Sequence, residues 1–107
     1  MSRPPRDFKP GNEYFVRQRG NNGNVVFRDE DDRKLMRVLI AKYSAKFAVH
    51  ISFFEMWERT VQMIVTPSSP EGVPKFMQAV IGSYSRFYNK KYSRMGHLWQ
   101  NRYFTAL

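Results

Sequence analysis

A chain of 107 residues has room for one core of two packed layers and for no second domain. A formal net charge of +9 and a pI of about 10.2 point to a polyanionic partner, and 42% hydrophobic residues are enough to fold. The lack of cysteine excludes disulfides and thiolate metal sites, and no apolar run approaches the roughly 20 residues of a membrane span.

The chain starts Met1-Ser2-Arg3-Pro4-Pro5-Arg6, charged and without the apolar stretch of a secretory signal, so a cytoplasmic location is expected. With Pro4, Pro5 and Pro10, residues 1–11 read as an extended arm ahead of a domain over 12–107. From Tyr14 to Arg19 the side chains alternate as in a strand, with Tyr14, Val16 and Gln18 on one face and Phe15, Arg17 and Arg19 on the other. Gly20-Asn21-Asn22-Gly23-Asn24 tolerates positive φ and offers backbone amides; Val25-Val26-Phe27 follows as a short extended piece. Asp29 is placed to cap a helix whose first turn carries Glu30, Asp31 and Asp32 against the positive end of its dipole. Leu35, Met36, Leu39, Ile40, Tyr43 and Phe47 recur at helical spacing along it.

Val49 to Trp57 and Arg59 to Thr66 are apolar, β-branched and aromatic, and read as two antiparallel strands. Their turn near Glu58 has none of the glycine, asparagine or aspartate that hairpins favour. Pro67-Ser68-Ser69-Pro70 breaks the chain, Pro74 suits a first helical turn, and Phe76, Met77, Val80, Ile81, Tyr84, Phe87 and Tyr88 mark a second amphipathic helix. Residues 102–107 make a last strand. The order strand, helix, strand, strand, helix, strand implies an α+β ferredoxin-like sandwich: a four-stranded antiparallel sheet with two helices on one face. Its other face stays open, as in many sheets that bind single-stranded nucleic acid.

Charge is distributed unevenly. Every Asp and Glu lies at or before Glu71, whereas Lys75, Arg86, Lys90, Lys91, Arg94 and Arg102 follow it among Tyr84, Phe87, Tyr88, Tyr92, Trp99 and Tyr103. Such a mixture suits phosphates and unstacked bases; a solubilising basic surface over an aromatic core accounts for charge alone equally well. Neither His50 nor His97 has a clustered carboxylate or second histidine at ligand spacing. Strand alternation separates Glu55 from Glu58, so both are assigned to the surface. No cofactor fingerprint appears, and no cofactor is expected.

Three segments carry a family resemblance. Gln18-Arg19-Gly20-Asn21-Asn22 precedes Val26-Phe27 and an acidic helix start; Met63-Ile64-Val65-Thr66-Pro67 stands mid-chain; Tyr84, Arg86-Phe87-Tyr88-Asn89-Lys90-Lys91-Tyr92, Arg94, Gly96, Leu98-Trp99-Gln100 and Arg102-Tyr103 close the chain. Together, from about Tyr14 onward, they resemble REP-associated tyrosine transposases and their insertion-sequence relatives. The resemblance implies a domain that cuts single-stranded DNA beside hairpins, using a divalent ion on a histidine–hydrophobic–histidine strand and a tyrosine nucleophile. Counted back from Pro67, the histidine positions are Thr60 and Gln62, two neutral groups that bind a divalent ion weakly. Glu58-Arg59 replaces the usual proline–asparagine, and the nucleophile's helix would lie beyond Leu107.

The expectation is therefore a non-catalytic, metal-free relative that binds nucleic acid, DNA before RNA. Its contact residues would be Arg17, Arg19, Asn21 and Asn22 on the first strand and loop, with Arg86, Lys90, Lys91, Arg94, Trp99 and Arg102 further on. For Trp99 a core position competes with base stacking, and Arg102 can instead hold a local turn. The competing readings are a protein-interaction or inhibitory module on the same surface, including a homodimer through a sheet edge, and a residual metal-dependent nuclease using Gln62 or Glu58.

Overall fold

The computed structural model describes residues 8–107. Strand β1 spans Tyr14–Arg19, helix α1 Glu30–Lys46, β2 Val49–Trp57, β3 Thr60–Pro67, α2 Gly72–Lys91 and β4 Phe104–Ala106. One sheet runs β2-β3-β1-β4, with each neighbouring pair antiparallel. This is the ferredoxin-like order expected, with both helices on one face. Expectations for residues 1–7 lie outside the described residues. From Phe8 onward the arm is docked: Phe8 is buried edge-on against Tyr14, with ring centroids 4.9 Å apart, and the Gly11 amide donates to the Pro67 carbonyl. Among the described residues, no helix is long and apolar enough to cross a membrane.

The core lies between sheet and helices. Val16, Val49, Val61, Met63 and Val65 meet Met36, Leu39 and Ile40 of α1 and Val73, Phe76, Met77, Val80, Tyr84 and Tyr88 of α2. β3 alternates strictly between buried and half-buried residues, as a strand with one covered face must. β2 does not alternate strictly. Its register slips between Ile51 and Phe53, which pair with Val65 and Ile64, and leaves Ser52 as an extra residue. This bulge turns Phe53, Glu55 and Trp57 to the open face, while Phe54 and Met56 pack against the core.

The β2–β3 turn, Glu58-Arg59, has positive φ at neither residue, so it is not the type I′ turn that a hairpin favours. Contacts with the segment after β1 hold it instead. The Glu58 carbonyl accepts from the amides of Val26 and Phe27, and the Arg59 carbonyl from that of Gly20. Tyr84 and Tyr88 hydroxyls donate to the Val26 and Val25 carbonyls, so residues 25–27 are fixed from both sides without a strand of their own.

Asp29 caps α1 as expected, accepting from the Asp32 amide at 2.9 Å. Both long helices end in a left-handed residue other than glycine, Ala48 after α1 (φ 54°) and Ser93 after α2 (φ 51°). Since the left-handed region is unfavourable for a residue with a Cβ, Ala48→Gly and Ser93→Gly should each raise stability by about 0.5–1 kcal/mol. Thermal or urea unfolding checks this, and a loss of stability at both positions would contradict the strain argument.

Candidate nucleic-acid interface

Cross-strand register lays out the open face in rows. Arg17 pairs with Gln62 on one side and Phe104 on the other, and Gln62 pairs with Glu55. The next row joins Arg19, Thr60 and Trp57. A third, towards the other end of β1, joins Ala106, Phe15, Ile64 and Phe53. The face is thus polar and basic near the end of β1 and apolar near its start. Arg17 and Arg19 share this face as the sequence implied. The Arg17 guanidinium lies over the Phe104 ring, 4.8 Å from its centroid, which fixes a side chain that would otherwise be mobile.

Arg19 also lines a cleft of about 260 Å³ with Gly20, Gly23, Arg59, Thr60 and Gln100. Arg59 is held in it by donating from Nε to the Gly23 carbonyl at 2.9 Å. Pattern reading did not single out Arg59; its place in the hairpin turn, opposite a Gly/Asn loop, was the available signal. The loop is a single 3-10 turn over Asn21–Gly23 with Asn22 left-handed (φ 53°). Its amides are less available than the sequence suggested. Those of Gly20, Asn21 and Asn24 donate to Arg59, Leu98 and Asn21 carbonyls. Asn22 is exposed and Asn21 half-buried.

Gly20 matters for close packing, not for unusual dihedrals: its φ is −63°, but a Cβ there would stand 2.3 Å from the Asn24 carbonyl oxygen. Gly20→Ala should therefore cost about 1–3 kcal/mol of stability. Urea denaturation measures it, and an unchanged midpoint would mean that the loop relaxes freely.

The basic residues around the end of α2 divide into two groups. Arg86 and Lys90 are exposed, and Arg86 donates to Ser83 Oγ at 3.2 Å. Lys91 is committed internally, its ammonium 2.9 Å from Asp29 and 2.8 Å from Asp32. Asp32 is fully buried and also accepts from the Arg28 amide and the Tyr92 hydroxyl. Asp32 stands in the first turn of α1 as expected and is in addition a buried acceptor, while the network corrects the reading of Lys91, which is held by carboxylates and not offered to phosphate. Arg94 is likewise braced, donating to Asn89 Oδ1 at 2.9 Å and lying over the Tyr88 ring. Arg102 is exposed ahead of β4. Trp99 is 4% exposed and packs against Phe27 and Tyr84, so burial in the core replaces the base-stacking role. Tyr84 is a core donor whose hydroxyl is pushed far up by burial and then by the Asp32 charge.

The ion cluster has a pH signature. The Lys91 hydrogen bond, followed by that from the Asp32 amide, holds the Asp29 carboxyl below its ordinary value of 3.8. Its stabilisation is present above that value and disappears as pH falls through the lower folded one. Lys91 is shifted up by hydrogen bonds to Asp32 and Asp29, so its share persists through neutral pH. Melting temperatures followed from neutral pH down to about pH 3 should fall less steeply for Lys91→Met than for the native chain; parallel curves would remove Asp29 from the acid response.

A profile of the IS200-like transposase family matches residues 15–107. The chain belongs to this family. No curated protein matches it. Among solved structures, a Deinococcus radiodurans protein provisionally named a transposase superposes with a TM-score of 0.72 at 16% identity, covering 100% of this chain and 85% of its own. A REP-associated tyrosine transposase bound to a REP hairpin gives 0.73 at 15% identity, covering 99% of this chain but only 61% of its own. Both share the fold.

Thr60 and Gln62, where the sequence resemblance expects histidines, share the open face. Gln62 donates from Nε2 to Glu55 Oε1 at 3.0 Å, and Glu55 is the carboxylate beside it. A hydroxyl, an amide and one carboxylate offer a divalent ion no imidazole and a single negative charge, which already accepts from the Gln62 amide. Among the described residues, no three His, Cys, Asp or Glu side chains cluster as a metal site.

Proposed function

We propose that this chain is a non-catalytic member of its family that binds single-stranded or hairpin DNA on the open face of its sheet. One observation carries the reading. Arg17 and Arg19 stand directly across the strand pair from Gln62 and Thr60, so two guanidinium groups, that of Arg17 held against the Phe104 ring, lie beside the place where the family resemblance expects a metal-bound phosphate. A guanidinium can fork onto phosphate oxygens without a metal. Arg59 extends this positive surface into the adjoining cleft, and Trp57, at 57% exposure, offers a ring to an unstacked base. The hairpin bound by the REP-associated relative supports the same ligand class. Thr60 and Gln62 supply no charge to a metal, which supports binding without cleavage.

The second reading, a protein-interaction module, draws on the other end of the face, where Phe53 is 44% exposed in the row of Phe15 and Ile64. Fluorescence anisotropy distinguishes the two. Labelled single-stranded, hairpin and duplex DNA, with RNA counterparts, are titrated across a salt series with manganese present. The DNA reading expects tight, salt-sensitive hairpin binding and uncut oligonucleotide. The Arg17→Ala/Arg19→Ala double substitution should lower the slope of log affinity against log salt by about 1.4, roughly 0.7 for each phosphate no longer neutralised. An unchanged slope in a folded double variant would move the site elsewhere, and no preference among the oligonucleotides above bulk charge attraction would favour the protein partner.

A further inference from the structure

A second cleft, of about 430 Å³, opens between α2 and the segment leading into β4. Amide side chains dominate its polar lining: Gln18, Gln78, Gln100 and Asn101. Met77, Ile81 and Tyr103 supply apolar walls. Its volume lies within the roughly 300–1,000 Å³ of small-molecule sites. Amides present donors and acceptors in one plane, which complements the edge of a neutral heterocycle. Gln100 lines both this cleft and the basic one that holds Arg19 and Arg59, so the two lie on either side of one residue, the basic one at the end of the open face and this one on the helix side of the sheet. Gln18 is almost fully buried and donates from Nε2 to the Gln100 carbonyl at 2.7 Å, which fixes that junction.

Gly82 gives a second, independent indication. It lies inside α2 and lines the cleft, at a position where glycine weakens a helix relative to alanine. No close packing within the protein demands it. A Cβ built there meets only the Arg86 guanidinium, at an ordinary 3.5 Å. The missing side chain keeps space open against the helix surface where a ligand can approach.

We propose that this cleft receives one unpaired nucleobase of the bound strand, with Gln78 and Asn101 reading its edge and Tyr103 beside its ring. The proposal rests on the DNA reading above and adds a seat for a base to its phosphate contacts. A strand whose phosphates meet Arg19 and Arg59 would turn one base past Gln100 into the amide-lined space.

The test uses a labelled DNA hairpin with a single-stranded flank, in which each flank nucleotide is replaced in turn by an abasic residue. With the native chain, one abasic position should weaken binding roughly five- to a hundredfold, the range for losing one seated base. Gly82→Leu, which fills the cleft, should weaken binding of intact DNA comparably and make that position indifferent, without lowering the melting temperature. If Gly82→Leu melts early, the Gln78→Ala/Asn101→Ala double variant, altered at exposed side chains, should show the same indifference. The proposal is overturned if no flank position is sensitive, or if sensitivity survives in the folded variants. Failure of the native chain to bind any of these oligonucleotides overturns the DNA reading itself.

Discussion

A buried carboxylate ties the two ends of this fold together. Asp32 sits in the first turn of α1 with no exposed surface, and accepts from the Arg28 amide, the Tyr92 hydroxyl and the Lys91 ammonium. Two of those donors come from the end of α2, about sixty residues away in sequence. An anion with no water must be met by such donors or not be charged at all. Satisfying it fixes the start of one helix against the end of the other. It also positions Arg28, whose Nε donates to the Tyr88 hydroxyl while that hydroxyl holds the Val25 carbonyl. The loop after β1 is therefore placed by a chain of hydrogen bonds that starts at one acid.

That loop sets the geometry of the proposed binding surface. Its backbone supports the Glu58-Arg59 turn on one side and the 98–100 segment on the other, through Gly20, Asn21 and the Arg19 carbonyl. The basic cleft lies among these three pieces, and none of them is regular secondary structure. Rigidity at such a site comes from paired backbone groups and from the absence of a Cβ at Gly20, where the chain passes within contact of the Asn24 carbonyl. The sheet contributes orientation: alternation along β1 and β3 puts the arginines and the neutral Thr60 and Gln62 on one side of it.

Much of this was legible in the sequence because period and burial agree. β1 and β3 alternate cleanly, and both helices carry their apolar residues at helical spacing. Arg17, Arg19, Thr60 and Gln62 could therefore be assigned to a common face from the pattern alone. What stayed hidden depends on contacts distant in sequence. Asp32 looks like its neighbours Glu30 and Asp31 until α2 folds over it. Lys91 looks like Lys90 until its partners are known, and Trp99 is core only because Phe27 and Tyr84 surround it. The ends of the helices were obscure for a local reason: Ala48 and Ser93 take the left-handed position that glycine usually marks.

The extra residue in β2 has a further consequence. Alternation from Val49 would place Phe53, Glu55 and Trp57 on the core side with Val49 and Ile51, and Ser52 reverses that assignment for the second half of the strand. The bulge at Ser52 thus acts as a phase inverter. Without it, Phe54 and Met56 would turn to solvent, Glu55 would face the helices as an unpaired buried charge, and the Gln62 amide would lose its partner. The chemistry displayed on half of this edge strand therefore depends on the chain absorbing one residue: deleting Ser52 would straighten the ladder and keep Phe53, Glu55 and Trp57 on the open face, whereas pairing Ser52 in register would turn all three inward.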